Sequence, residues 1–198
     1  MKEIIKNSLD KSISYPDYIA MVKQLAENGT TTGAEKSESL IEYTKLNDRR
    51  MKRWNKTLKI GQENIERLEK FNKKVTWLIL TESWCGDAAH VMPVMQKIAD
   101  INSNIDIKVV LRDENDELMN AFLTNGGKAI PKVIMIDEVT GDVFNSYGPR
   151  PSNATQLVNE YKAKHGLLTP EFKEDLQHWY NKDKGQTAVK DLITLLEI

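Results

Sequence analysis

A chain of 198 residues, 40% apolar and 29% charged, has enough apolar material for a buried core and the composition of an ordinary globular protein. Its formal net charge of −1 sets up no overall field that would draw it to nucleic acid or to an anionic membrane, so neither is expected as a partner. The single cysteine, Cys85, excludes an internal disulfide, and no stretch approaches the ~18 apolar residues of a membrane span.

The opening MKEIIKNSLDKSISYP has no unbroken apolar run, so no secretory signal is expected there and a cytoplasmic location is. Residues 1–72 read as helical. Pro16 and Asp17 open a segment with Tyr18, Met21, Val22 and Leu25 at helical spacing, closed at Gly29. ENGTTTGAEKSES is a loop by composition. Beyond it Leu40, Tyr43, Met51, Trp54 and Leu58 form one helical stripe, with Asn47 in the remaining slot, and QENIERLEKF gives a further short helix. The period then changes. KVTWLIL and IDIKVVL are short β-rich runs separated by a helical run from Ala88 to Ile101, which predicts a parallel strand–helix–strand unit. ELMNAFLTNGG is another helix with its exit loop. KVIMID and VFNSYG, joined by EVTGD, predict an antiparallel hairpin. A helix follows from Ala154 to Lys164. The tail predicts two more, the first opened by Thr169 and Pro170. The expected organisation is a helical extension over 1–72, a central α/β unit over 73–165 and a C-terminal helical extension over 166–198.

Cys85 stands in TESWCGDA, between the first long strand and the helix behind it. Free backbone N–H groups and the dipole at a helix N-terminus favour a thiolate, whereas Asp87 would oppose one by repulsion or would cap the helix. The alternative is a buried, inert thiol acting as a small hydrophobe.

The order of elements around a strand-end cysteine resembles the thioredoxin-like family. Trp84 precedes Cys85 as in that family's WCxxC motif. Pro93 occupies the place of its helix-kinking proline, Ile130-Pro131 that of its cis-proline, and Gly148 that of the glycine beside the substrate backbone. TESWCGDAA, IPKVIMID and YGPRP, with the upstream EYTKLNDRRMKRW, resemble a bacterial branch with a helical N-terminal extension. The resemblance implies an α/β thioredoxin-like fold, a central mixed sheet flanked by helices, with helical extensions at both ends. It implies Cys85 as the reacting group, and Trp84, Gly86, Asp87, Ile130, Pro131 and Gly148 as the residues that hold a substrate beside it. It also implies thiols or disulfides, on proteins or small molecules, as partners, with no cofactor and no metal.

The departures from the family pattern limit the chemistry. The resolving cysteine is replaced by Ala88. The buried acid of the preceding strand is replaced by Ile79, and its lysine neighbour by Val109. A dithiol cycle cannot run with one sulfur. Two functions remain: a monothiol redox protein whose adduct an external thiol resolves, and a redox-inactive binding module that uses the same groove.

The remaining polar clusters carry less. His90, His165 and His178 lack ligand spacing, so no zinc site is expected and His90 reads as a surface residue. The basic run Lys45, Arg49, Arg50, Lys52, Arg53, Lys56 and Lys59 reads as a solvated helix face; the other uses for it are contact with nucleic acid or an anionic thiol, or Arg50 or Arg53 reaching toward Cys85. DENDE lacks the glycine of a calcium loop and reads as a turn. Trp77, Trp179 and Tyr180 read as packing residues that join the extensions to the core.

Overall fold

A computed structural model describes residues 1–197. The chain begins with α1 (Lys2–Leu9), a two-residue strand β1 (Ile13–Ser14), α2 (Tyr15–Glu27), α3 (Glu38–Thr57) and α4 (Gln62–Glu69). The Ser14 side chain accepts from the Asp17 amide at the start of α2, and Pro16 lies in that helix's first turn, where its missing N–H costs nothing. The strand β1 corrects the all-helical expectation for 1–72. Two residues are too few to display an alternating period, and Ile13 and Ser14 are extended by pairing with Val109 and Lys108.

The centre follows as β2 (Val75–Thr81), α5 (Gly86–Ile101), β3 (Ile105–Leu111), a 3-10 turn (Arg112–Glu114), α6 (Asp116–Ala121), β4 (Lys132–Asp137) and β5 (Val143–Tyr147). The chain closes with α7 (Ser152–His165), α8 (Pro170–Asp183) and α9 (Gln186–Leu195). The five strands form one mixed sheet in the order β1-β3-β2-β4-β5. β2 and β3 run parallel, β4 runs antiparallel to both β2 and β5, and the hairpin carries an irregularity between Met135 and Ile136. Every residue of β2 is buried, which explains its unbroken apolar run.

One apolar core joins the sheet to both ends of the chain. Tyr18, Val22, Met51, Trp54 and Leu58 enter it from the N-terminal helices, and Ala188, Val189, Leu192 and Ile193 from α9. Tyr43 is a correction: it is 39% exposed. The buried face of α3 is instead largely polar, built from Thr44, Asn47 and Asp48 ahead of Met51 and Trp54. Among the described residues no helix is long and apolar enough to cross a membrane.

Candidate active site

The active-site turn is set by the end of β2. Asn47 donates from Nδ2 to the Ser83 carbonyl at 2.9 Å, and Ser83 Oγ lies within 3.1 Å of the hydroxyls of Thr31, Thr32 and Thr44. The loop before α3 and α3 itself therefore grip the backbone just ahead of Cys85. All five of these side chains are buried, and each has a partner, as buried polar groups require.

Cys85 is the N-cap of α5, and the Ala88 amide donates to its Sγ at 3.5 Å. The thiol itself donates to the Ile130 carbonyl at 3.3 Å. The Ile130-Pro131 peptide is cis. Gly148 packs against the same segment. Its φ is +117°, and a Cβ there would lie 2.0 Å from the Pro131 carbonyl oxygen, so only glycine fits. The two chain-distant elements thus meet at the sulfur.

Burial pushes the Cys85 thiol up to about 12, with repulsion from Asp87 as the second cause. The Ala88 amide and Arg150 pull the other way but do not prevail. Only 6% of the residue is exposed. The expectation of a helix-stabilised thiolate is therefore corrected: desolvation outweighs the dipole, and the resting group is a neutral thiol.

Asp87 neither caps the helix nor stands free. Its Oδ2 pairs with Arg150 Nη2 at 2.7 Å, and its Oδ1 accepts from the Tyr180 hydroxyl at 2.8 Å. Burial raises its pKa, against the opposing pull of Arg150 and Tyr180. Tyr180 stacks flat on the ring of His90 at 4.2 Å. His90 is buried, contrary to the surface position expected for it. Trp54 Nε1 can only donate, so His90 Nδ1 accepts from it at 2.8 Å, and Nε2–H donates to Gln177 Oε1 at 2.7 Å. Burial drives the His90 pKa down to about 4, which leaves the ring neutral.

Sequence reasoning missed Glu82. It is fully buried at the end of β2, where its Oε1 accepts from the Asp113 amide at 2.9 Å and burial raises its pKa. An acid directly after an apolar strand was the available signal. Ile79 pairs with Val109 and Val133, so the strand position of the family's acid is fully apolar.

A pocket of about 610 Å³ opens beside Cys85. Its apolar wall includes Leu40, Leu46, Trp84, Ile130 and Leu176, drawn from α3, the active-site turn, the cis-proline segment and α8. Arg50, Asp87 and Arg150 supply charge around the sulfur, and Gly86 lies between them. The Arg112 guanidinium lies over the Trp84 ring, 4.9 Å from its centroid. Trp84, Cys85, Gly86, Asp87 and Ile130 all line this space; Pro131 and Gly148 do not, and pack against each other instead. Among the described residues no group of three or more His, Cys, Asp or Glu side chains could hold a metal ion.

Two solved structures share the architecture. A Pseudomonas aeruginosa protein of unknown function is 14% identical with a TM-score of 0.67, and the match covers 96% of this chain and 94% of that one. An HIV epitope scaffold is 16% identical with a TM-score of 0.57, over 93% of this chain and 98% of its own. No curated protein matches the chain. At such identities the two structures speak for the fold alone. The family model described as Thioredoxin matches residues 33–162, which takes in α3, the Cys85 turn, the cis-proline and the hairpin. With that span and a mixed, helix-flanked sheet built around a strand-end cysteine, the chain belongs to the thioredoxin family and has an α/β thioredoxin-like fold.

Proposed function

We propose that the protein is a monothiol exchange protein. Cys85 attacks one sulfur of a disulfide, the other sulfur leaves as a thiolate, and a second thiol, from a small molecule or another protein, later resolves the adduct. The observation that carries this reading is the position of Sγ. It lies 3.3 Å from the Ile130 carbonyl beside the cis-proline, on the wall of an open pocket, in a chain with no second thiol to resolve an adduct internally. The proposed roles follow from place. Cys85 reacts, Trp84, Gly86, Asp87 and Ile130 border the substrate, and Pro131 and Gly148 shape the backbone against which it lies.

The neutral, buried thiol favours a second reading, a binding module in which Cys85 never turns over. The two differ under Cys85→Ser. Monothiol exchange expects every covalent partner captured from a cell extract to disappear with the sulfur. A binding module expects its partners to survive Cys85→Ser and to be lost when Trp84 is changed. Partners indifferent to the loss of Cys85 would overturn the redox reading.

A further inference from the structure

The pocket beside Cys85 is lined by helices from outside the central unit, and its charge is unevenly met. Arg150 is paired with Asp87 at 2.7 Å, so those two charges answer each other. Lys173 and Glu174 lie on an exposed face of α8 and also oppose each other in sign. Arg50 has no ion pair of its own and is acted on by Asp87 only from beyond pairing distance. Its only bond among the described residues runs from Nη1 to Asn47 Oδ1 at 3.1 Å, and no carboxylate comes within ion-pair distance of it. Burial takes water away from this guanidinium. A half-buried cation without a direct ion-pair partner is costly, and most of its N–H donors remain to be filled.

Arg50 is also aimed. Asn47 is fully buried and anchored to the Ser83 carbonyl, and it holds the guanidinium over the active-site turn. A Cβ on Gly86 would lie 3.6 Å from Arg50 Nη1, which puts the charge against the residue that follows Cys85. Around it the walls are apolar, from Leu40, Leu46, Trp84, Ile130 and Leu176. A space of about 610 Å³ is of the size that encloses a small organic molecule.

We propose that this pocket binds a small organic carboxylate with an apolar body, whose carboxylate takes a forked pair of hydrogen bonds from Arg50 while its body lies against Trp84 and Leu176. A planar guanidinium is the natural fit for such an anion. As the class of thiol or disulfide that Cys85 exchanges with, this inference rests on the function proposed above; the binding itself does not.

The test uses the full chain and a matched pair of probes, 3-phenylpropanoate and its neutral amide 3-phenylpropanamide, followed by the amide resonances of Gly86 and Asp87. The carboxylate is expected to bind about tenfold more tightly than the amide. Arg50→Met is expected to erase that preference while leaving the weak binding of the amide, and Arg50→Lys to restore part of it. Equal affinity for the two probes, no binding of either, or a preference that survives Arg50→Met in a chain with native dispersion would overturn the proposal. A second arm separates the thiol chemistry. The Cys85 thiolate attacks 5,5′-dithiobis(2-nitrobenzoate), forms a mixed disulfide and releases one thionitrobenzoate. Arg50→Met is expected to slow this reagent more than neutral 4,4′-dithiodipyridine. If the carboxylate binds through Arg50 while Cys85 reacts with neither disulfide, exchange fails as the function and the binding site stands.

Discussion

Burial and its charged and polar neighbours set the charge on Cys85. Burial and Asp87 hold it protonated, and the Ile130 carbonyl accepts a hydrogen bond from its S–H. With a pKa near 12 the thiolate fraction at neutral pH is very small, partly offset by the greater nucleophilicity of a more basic thiolate. Alkylation of the folded protein at pH 7 is therefore expected to run about a hundredfold slower than that of an exposed cysteine, and to rise about tenfold per pH unit in alkaline solution. Iodoacetamide kinetics against pH measures this, and a plateau below pH 8 would show a depressed pKa instead. Asp87→Asn removes a like charge and frees Arg150, so it is expected to lower the Cys85 pKa and speed the same reaction. His90 carries an opposite lesson about burial. Its folded pKa of about 4 lies below the 6.5 of an open histidine, so the unfolded chain binds more protons between those values. Stability from this residue is present above 6.5 and lost as pH falls toward 4, by about 3 kcal/mol in all. Buried Asp87 and Glu82, with raised pKa values, act in the other direction over acid pH. The comparison that isolates His90 is therefore the pH dependence of wild type against His90→Gln, with the ring followed by NMR. The position of Cys85 was legible from one strand, one helix and a tryptophan. Its protonation was not, because the dipole is local in sequence whereas burial is made by chain-distant elements, the Ile130-Pro131 segment among them.

At the scale of elements, the hairpin and the cis-proline segment depend on Gly148. A side chain there would meet the Pro131 backbone at 2.0 Å, in a backbone conformation with φ of +117°. Gly148→Ala is expected to cost at least about 2 kcal/mol and to lower Tm by about 4 °C or more, read by thermal denaturation. An unchanged Tm would show that the Pro131 backbone yields without cost. The strands β2, β3 and β4 were readable as apolar or alternating runs, and β3 falls on IDIKVVL residue for residue. The helix α3 was readable as a helix but not in its orientation. Its inward face is Thr44, Asn47 and Asp48, whose partners, among them the Ser83 carbonyl, no periodicity reveals, so the apolar stripe alone points the exposed Tyr43 inward. The same holds for α5. Nine of its residues are buried, so it lacks the exposed stripe that would have marked His90 as an inside residue.

Across the whole molecule, residues 1–72 and 166–198 read best as extensions that share one core with the central unit. Removing 166–198 would strip Tyr180 from Asp87 and Gln177 from His90, and would uncover the part of the core that Val189, Leu192 and Ile193 complete. The truncated chain is expected to lose cooperative unfolding, measured by urea titration, and an unchanged midpoint and slope would mark 166–198 as an appendage. The extensions also change what can reach the sulfur, because α3 and α8 wall the space that opens on it. Ala88, fully buried one turn from Cys85, is where the molecule departs most from a dithiol cycle, and Ala88→Cys is expected to create insulin-reducing activity that the parent chain lacks. The central claim is that Cys85 forms an adduct it cannot resolve. Intact mass spectrometry of the native protein after incubation with a small disulfide at pH 9 tests it most directly. One adduct per chain, absent in Cys85→Ser, is expected to persist for hours and to disappear on addition of an external thiol. A folded chain that remains unmodified until denaturant is added would contradict it.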